Sequence, residues 1–359
     1  MPVSPDYEGA CLSNLVRALR GGAAWVPPPV TGAAAVVLFV VDGLGWQLLE
    51  RHRGVLPTLG TLEGGPISTV VPSTTTTALT SLTTGLTPAG HGVLGYRLLV
   101  GGDVVNVLRW STTPPRRPPA PEEVQPRLAF GGEAVPVVTR ADFQDSGFSA
   151  LHLRGARFHG WHSTSSIAVM CAELVAGGER FVYAYYGNAD IVFHMHGLSG
   201  ELTLSELVFV DALVASLLDA LPPETAVVVS ADHGHVPIER WVDVRQLAPL
   251  VAAQSGEARF RYLHARPGAA AELEAAARES FGSLAWVMSR EEVVEEGWLG
   301  GVPARQAHAR LGDVVLAARE PVGFVDPANA GETKLRTGHG SLTEAEMLVP
   351  LLAARGRAA

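Results

Sequence analysis

AAAVVLFVVDGLG, residues Ala33 to Gly45, is the stretch that decides the fold. Its first nine residues are continuously apolar and rich in β-branched side chains, which is typical of a central parallel strand buried on both faces. The run ends in Asp42-Gly43. Ligands of open α/β sheets bind at the carboxyl ends of such strands. The stretch therefore predicts an α/β protein and makes Asp42 a candidate site residue, with a simple turn aspartate as the alternative.

Further strand-like runs follow along the chain, separated by helical and loop sequence. They are Ile67–Val71, Val135–Thr139, Phe181–Tyr186, Ala226–Ser230 and Val349–Ala353. This alternation predicts a doubly wound, mostly parallel sheet with helices on both faces, in an α/β/α sandwich. Residues 241–324 differ in character and predict a small inserted α/β subdomain. The main domain is then formed by residues 1–240 and 325–359.

The composition is that of an acidic globular protein. The chain has 359 residues, of which 47% are hydrophobic and 18% charged, and a net charge of −9. A nucleic-acid polymer would need a basic stripe, and Arg116-Arg117 among prolines is too short for one. Neither the N-terminus nor the longest apolar run fits a signal peptide or a membrane span. We expect a cytoplasmic protein that acts on small molecules, with Cys11 and Cys171 as free thiols rather than one disulfide.

VPSTTTTALTSLTTG, residues Val71 to Gly85, joins four consecutive threonines to an apolar helical pattern that stops at Gly85. Serine and threonine favour helix N-caps. The free N–H groups and partial positive charge of a helix N-terminus suit an anion such as phosphate. The stretch therefore predicts a threonine hydroxyl beside an anion site. A polar helix start without chemistry is the alternative.

Carboxylates and imidazoles follow other predicted strands. Asp190 and His194 are four residues apart, so a helical turn would point both side chains at one place. Asp232-His233 directly follows a buried strand, and His339 lies between two glycines. His196 competes with His194, but two residues along a helix it faces elsewhere. Each residue alone could be structural or solvated; together they predict a shared site.

Metal ions would resolve the charge problem that this gathering creates. Three carboxylates at one sheet edge repel each other. With two divalent cations and three carboxylates, the net charge of the site would be about +1. An ionised threonine would bring it near neutrality. Such ions, about 4 Å apart, can activate a nucleophile and hold a leaving oxygen. Aspartate and histidine without thiolates favour Zn²⁺, with Mn²⁺ as the alternative.

These motifs resemble the alkaline phosphatase superfamily, and most closely its nucleotide pyrophosphatase/phosphodiesterase branch. Asp-Gly after the first strand, Pro-Ser-x-Thr before Thr-Gly, Asp-x-x-x-His, Asp-His-Gly and Gly-His-Gly occur in that order over roughly residues 36–350. The resemblance implies two metal sites. One would be formed by Asp42, Thr75, Asp232 and His233, and the other by Asp190, His194 and His339.

The resemblance also implies an enzyme, a metal-dependent phosphodiesterase or phosphatase. Thr75 would be the nucleophile, because it precedes Thr84 of the Thr-Gly pair by nine residues as in that branch. A phospho-threonine intermediate would form and then be hydrolysed. Since the site offers little net positive charge, a singly charged diester suits it better than a dianionic monoester.

Departures from the branch concern the substrate. Ala78 stands where the branch has an asparagine, and Thr76 where it has a base-stacking aromatic, while the partner aromatic is present as Tyr185. We expect Tyr185 and Thr76 to flank a small phosphoester such as a nucleotide. The alternatives are a phosphomonoesterase, a phosphonate hydrolase or a non-catalytic metal-binding relative. The Pro-rich segment 111–126 is predicted to be a lid or edge loop.

Overall fold

The computed structural model describes residues 1–358. Its strands are β1 Ala35–Val41, β2 Glu63–Ser68, β3 Arg97–Val100, β4 Asp103–Asn106, β5 Ser111–Thr113, β6 Pro136–Arg140, β7 Arg157–Trp161, β8 Phe181–Tyr186, β9 Thr225–Ser230, β10 Val236–Pro237, β11 Arg240–Val242, β12 Val251–Gly256, β13 Phe260–Ala265, β14 Ala285–Ser289, β15 Val314–Ala318, β16 Val322–Phe324, β17 Thr337–Gly338 and β18 Leu348–Arg355. Its α-helices are α1 Leu15–Gly21, α2 Trp46–His52, α3 Thr75–Thr84, α4 Pro88–His91, α5 Pro121–Val124, α6 Gly147–His152, α7 Ser166–Ala176, α8 Asn188–His196, α9 Glu201–Ala220, α10 Ala270–Phe281, α11 Arg290–Glu295, α12 Arg305–His308 and α13 Glu344–Met347.

A seven-stranded sheet forms the centre of the molecule, in the order β2-β18-β9-β1-β8-β6-β7. Strand β1 is buried along its whole length and runs parallel to both of its neighbours, β9 and β8. Strands β6 and β7 continue the parallel part, whereas β18 is antiparallel to both β9 and β2. The predicted α/β fold with a mostly parallel central sheet is therefore confirmed, and its antiparallel edge makes the sheet mixed.

Helices cover this sheet and build the main apolar core with it. Helix α9 packs against α7 and α8, and α3 packs against α1, α4 and α6. The core joins side chains from β1, β8 and β9, such as Phe39, Tyr183 and Val228, to those of the helices. Within residues 1–358, no helix combines the length and the apolar character that a membrane span requires.

A second, four-stranded antiparallel sheet lies within the segment predicted as an insertion. Its order is β12-β13-β15-β14, and an apolar cluster that includes Leu263, Val287 and Leu316 packs beside it. Strand β11 pairs in parallel with β16 where the chain enters and leaves this region. The placement of the domain boundaries at 240/241 and 324/325 remains a proposal.

Three local features of the structure differ from what the sequence predicts, among them strand β7, which the sequence did not predict. Strand β2 covers Glu63–Ser68, so it ends before Val71, because its C-terminal end leads into the loop ahead of α3. Strand β7, Arg157–Trp161, carries no alternating apolar signal because it lies at the edge of the sheet, with most of its residues only partly buried. The segment 111–126 contains β5 and α5, so it is not wholly irregular.

Candidate active site

Three carboxylates meet at the carboxyl edge of the parallel strands. Asp42 follows β1, Asp232 comes two residues after β9, and Asp190 lies in the first turn of α8, just after β8. The aligned registers of β1 with β8 and β9 end these strands at the same level. The loops after β1 and β9 then touch: a Cβ on Gly45 would come within 2.7 Å of the Gly234 Cα. Only glycine at these two positions allows so close an approach.

The first group of metal-type ligands contains Asp42, Asp232 and His233. One ligand atom from each lies within 4.8 Å of the others. The His233 Nε2 is 3.5 Å from Asp42 Oδ1 and 3.5 Å from Asp232 Oδ2. Thr75, the first residue of α3, adds its hydroxyl, because its Oγ1 lies 3.1 Å from the same Nε2. The structure therefore brings together the four residues that the resemblance implies for one metal.

The second group surrounds Asp190. Its Oδ1 lies 3.3 Å from His194 Nε2, 3.9 Å from His339 Nε2 and 3.0 Å from His235 Nε2. The predicted helical turn carries both Asp190 and His194. His235 was not predicted as a site residue. Its position two residues after His233, in Asp-His-Gly-His, is a signal that the sequence does contain, since an extended backbone returns such a residue to the same side.

The backbone orients three of the imidazoles in the same way. His194 Nδ1 lies 2.9 Å from the Thr337 carbonyl oxygen, and His339 Nδ1 lies 3.1 Å from that of Ser73. His233 Nδ1 lies 3.2 Å from the carbonyl oxygen of Gly234. A carbonyl oxygen can accept a hydrogen bond but cannot donate one. We therefore assign Nδ1–H to each ring and a lone pair to Nε2. This tautomer is the one that metal-ligating histidines adopt.

Each carboxylate of the first group has one oxygen that accepts a hydrogen bond and one bare oxygen, which accepts none. Backbone N–H groups of Gly43 and His233 both donate to Asp232 Oδ1 at 3.0 Å, and the Tyr185 hydroxyl donates to Asp42 Oδ2. The bare atoms are Asp42 Oδ1 and Asp232 Oδ2, which are buried and accept no hydrogen bond within the described chain. Asp190 Oδ1 is likewise buried and bare. Buried bare carboxylate oxygens are costly unless a cation binds them.

The pKa values of these groups have the directions expected of a metal-free ligand set. Burial, together with the neighbouring carboxylates, raises the pKa of Asp42 and of Asp232. Burial lowers the pKa of His233 to about 3 and that of His339 well below its usual range. His233 and His339 are therefore neutral at pH 7, the form that ligates metals. The donors and their charges fit divalent cations of the zinc type.

Two cavities border this cluster, and both are lined by Thr75 and Asp190. The first has a volume of about 270 Å³ and is mainly apolar, lined by Leu79, Phe143, Phe148 and Tyr185 among others. The second has a volume of about 680 Å³ and carries polar and charged side chains, including those of Arg109, Glu257 and Lys334. A molecule bound at Thr75 can therefore extend into two environments of different polarity.

The remaining predicted residues lie in different places. Tyr185 lines the apolar cavity with its ring while its hydroxyl contacts Asp42, so it belongs to the cluster. Thr76 is fully buried and borders neither of the two cavities, because one step along α3 turns its side chain away from that of Thr75. His196 is exposed at the end of α8 and lies outside the metal-type groups of residues 1–358.

Comparison with known proteins identifies the family. The family described as type I phosphodiesterase/nucleotide pyrophosphatase matches residues 36–166 and 154–342, which include all the residues of the cluster. A search of curated protein sequences gives no match.

Solved structures share the fold at low sequence identity. Murine ectonucleotide pyrophosphatase/phosphodiesterase 5 is 15% identical, with a TM-score of 0.66 over 90% of this chain and 88% of that one. An inactive threonine-to-alanine variant of the murine protein, in complex with AMP, is 15% identical, with a TM-score of 0.64 over 89% of this chain and 87% of the other. Phosphonoacetate hydrolase from Sinorhizobium meliloti 1021, in complex with phosphonoformate, is 18% identical, with a TM-score of 0.65 over 91% of each chain. The chain is a member of the type I phosphodiesterase/nucleotide pyrophosphatase family, whose members are hydrolases of phosphoric ester bonds.

Proposed function

We propose that this protein is a two-metal phosphodiesterase that works through a phospho-threonine intermediate on Thr75. The observation that carries the proposal is the position of the Thr75 hydroxyl. Its Oγ1 lies 3.1 Å from His233 Nε2, at the edge of the Asp42–Asp232–His233 group and at the N-terminus of a ten-residue helix. A hydroxyl so placed adjoins both a candidate metal site and the free N–H groups of a helix.

The proposed metal sites follow the ligand sets that the resemblance implies, and by the spacing of ligand atoms His339 groups with Asp190 and His233. Asp42, Thr75, Asp232 and His233 would hold one ion, and Asp190, His194 and His339 the other, with Zn²⁺ as the expected metal and Mn²⁺ as the alternative. When bound, the ions supply positive charge that favours the ionised threonine and offsets the charge on the phosphoryl oxygens. Tyr185 holds Asp42 in place through its hydroxyl.

The proposed reaction has two displacements at phosphorus. Thr75 Oγ forms a bond to phosphorus, the bond to the first alcohol breaks, and that alcohol leaves with a proton. Water then attacks the same phosphorus, the Thr75–phosphorus bond breaks, and the threonine regains its proton. The N–H groups at the start of α3 are placed to donate to a phosphoryl oxygen in both steps. The murine protein of similar fold is inactive when one threonine is replaced by alanine, which supports a threonine in this role.

Charge and shape favour a diester as the substrate. Two divalent ions and three carboxylates leave about one positive charge, which matches the single negative charge of a diester. The two cavities beside Thr75 provide a place for each ester arm. Tyr185 and Phe148 in the first cavity suit an aromatic or otherwise apolar arm, including a nucleobase. The role of Thr76 in substrate binding remains a prediction from the resemblance.

Phosphonate hydrolysis is the second candidate, and one observation favours it. Lys334, the single lysine of the chain, lines the polar cavity together with Arg109. Such cations fit a substrate that carries a carboxylate beside its phosphorus. Phosphonoacetate hydrolase shares the fold, which makes phosphonoacetate the natural test compound for this candidate.

Paired kinetics on the zinc-loaded protein test the proposal. We expect a higher kcat/KM for bis-p-nitrophenyl phosphate than for p-nitrophenyl phosphate or phosphonoacetate. Thr75→Ala should lower diester turnover by about a thousandfold or more, with zinc still bound, because the nucleophile is lost while three ligands remain. Thr84→Ala, at the far end of the same helix, is the matched control and should leave turnover near the wild-type value.

Two results would reject the proposal. The first is unchanged diester hydrolysis by Thr75→Ala. The second is a zinc-loaded wild-type protein without activity on any of the three compounds, which would favour a non-catalytic metal-binding relative. A preference for phosphonoacetate would select the second candidate.

A further inference from the structure

His235 is a buried imidazole in the cluster that the family-based ligand set leaves unused. It is 4% exposed, and its ring lies edge-on to those of His194, His233 and His339. Its Nε2 is buried and has no hydrogen-bond partner within the described chain. A buried polar atom without a partner costs free energy, so its presence here requires a compensating interaction.

The ligand atoms around His235 have the spacing of a metal site. His235 Nε2, His194 Nε2 and Asp190 Oδ1 all lie within 4.8 Å of one another. His235 Nε2 is 3.0 Å from Asp190 Oδ1, closer to this oxygen than either His194 or His339. At this distance neither atom has a hydrogen-bond partner within the described chain. Two ligands of one metal ion lie this close together without a hydrogen bond between them, because each directs a lone pair at the ion.

Thr337 orients both imidazoles of this group. Its carbonyl oxygen lies 2.9 Å from His194 Nδ1, and its hydroxyl oxygen lies 3.1 Å from His235 Nδ1. The hydroxyl can accept from Nδ1–H, and in that tautomer His235 presents a lone pair at Nε2. An outer partner that fixes the tautomer is a regular feature of metal-ligating histidines. One residue of β17 therefore aims two rings toward Asp190.

Gly43 makes room for the ring. A Cβ built at this position would lie 2.5 Å from His235 Nε2, which no side chain could tolerate. Gly43 also has a φ of +74°, a conformation that glycine adopts without strain. The turn after β1 therefore leaves open the space that the imidazole fills beside Asp190.

From these contacts we infer that His235 is a ligand of the divalent metal ion bound by Asp190 and His194. The inference rests on the proposed two-metal function and deepens it. His339, which the resemblance assigns to the same ion, lies 3.9 Å from Asp190 Oδ1 and groups with Asp190 and His233; with it this ion would have four protein ligands, the number that zinc takes in tetrahedral sites. When bound, this ion would supply positive charge toward a substrate or water oxygen. Thr75 would remain the reactive hydroxyl beside the Asp42–Asp232–His233 group.

Zinc binding to the full chain tests this inference without reference to turnover. Competition with a chromophoric chelator should show two zinc equivalents in the wild-type protein. His235→Phe keeps the size and shape of the ring and removes both nitrogens. We expect it to weaken one equivalent by about 10- to 100-fold or more, with the other unchanged. His196→Phe, an exposed histidine on α8, should bind both equivalents as the wild type does.

A zinc-soaked crystal of the wild-type protein provides a second measurement that needs no variant. The anomalous peak nearest Asp190 should lie about 2.0 Å from His235 Nε2 if the atom is a ligand. A distance of about 3 Å or more would overturn the inference, as would unchanged zinc affinity in a folded His235→Phe. The two proposals can fail separately: inactive protein with zinc on His235 rejects the phosphodiesterase, whereas active protein with zinc away from His235 rejects only this inference.

Discussion

At the scale of single residues, the site is a set of ligands prepared for ions. Asp42 and Asp232 each have one oxygen held by a neighbour and one bare, and three histidines turn Nδ1 to a carbonyl. The hydrogen bonds to one carboxylate oxygen and to Nδ1 fix the direction of the other oxygen and of Nε2. The side chains therefore lose little conformational freedom when a metal binds. The sequence predicted most of these residues because each lies beside a strand end, a pattern that is visible without coordinates.

Metal binding at this scale should release protons. Burial raises the pKa of Asp42 and of Asp232 in the metal-free protein, so the pair retains protons at a pH where free aspartates are ionised. A metal requires the ionised form. We expect zinc binding to release more protons at pH 6 than at pH 9, and apparent zinc affinity to rise with pH over that range.

Calorimetry in buffers of different ionisation enthalpy measures this release. Asp42→Asn should reduce the number of protons released at pH 6, because one of the two protonated groups is gone. Proton release that is the same at pH 6 and pH 9 would contradict the raised pKa values of the aspartates.

At the scale of elements, distant segments are brought to the site by backbone contacts and one buried ion pair. Ser73, before α3, forms an antiparallel bridge with Gly340, which carries the loop of His339 to Thr75. Arg259 pairs with Glu346 through two hydrogen bonds of 2.8 and 3.0 Å, with both side chains fully buried. Glu346 also accepts hydrogen bonds from Ser341 and Thr343. The pair thus fastens the chain after His339 to the segment leading into β13.

Glu346→Gln should destabilise the protein strongly. The change leaves the Arg259 charge buried without its counterion, and breaking a buried pair in this way costs about 3–5 kcal/mol in the free energy of unfolding. Urea denaturation of the metal-free protein measures it. Asp142→Asn breaks the exposed pair with Arg140 and is the matched control, for which we expect little change. Equal stability of Glu346→Gln and wild type would contradict the structural role of the pair.

This pair also shows what the sequence could not provide. Arg259 and Glu346 are 87 residues apart, and neither stands in a motif. Their contact depends on how the second sheet packs against the loop after β17, which periodicity does not encode. His235 was missed for a related reason. Its place in Asp-His-Gly-His is visible, but its role depends on the space that Gly43 leaves beside Asp190.

At the scale of the whole molecule, an ordered series of short motifs predicted the fold and the family. The motifs lie at strand ends, and a parallel sheet brings strand ends to one edge, so the order of motifs implies a shared site. The mixed sheet, the position of the cluster and the family match agree with that reading. The four-stranded sheet adds Glu257, between β12 and β13, to the wall of the polar cavity, a contribution that only the packing of the two sheets reveals. Cytoplasmic location remains a prediction.

The central claim is that Thr75 carries the phosphoryl group during hydrolysis. Acid quenching of the zinc-loaded protein during turnover of bis-p-nitrophenyl phosphate, followed by mass spectrometry of its peptides, tests this claim most directly. The account predicts a p-nitrophenyl phosphoryl adduct on Thr75 that is absent from unreacted protein and from Thr75→Ala. Steady turnover with an adduct on another residue, or continued turnover by Thr75→Ala, would contradict it.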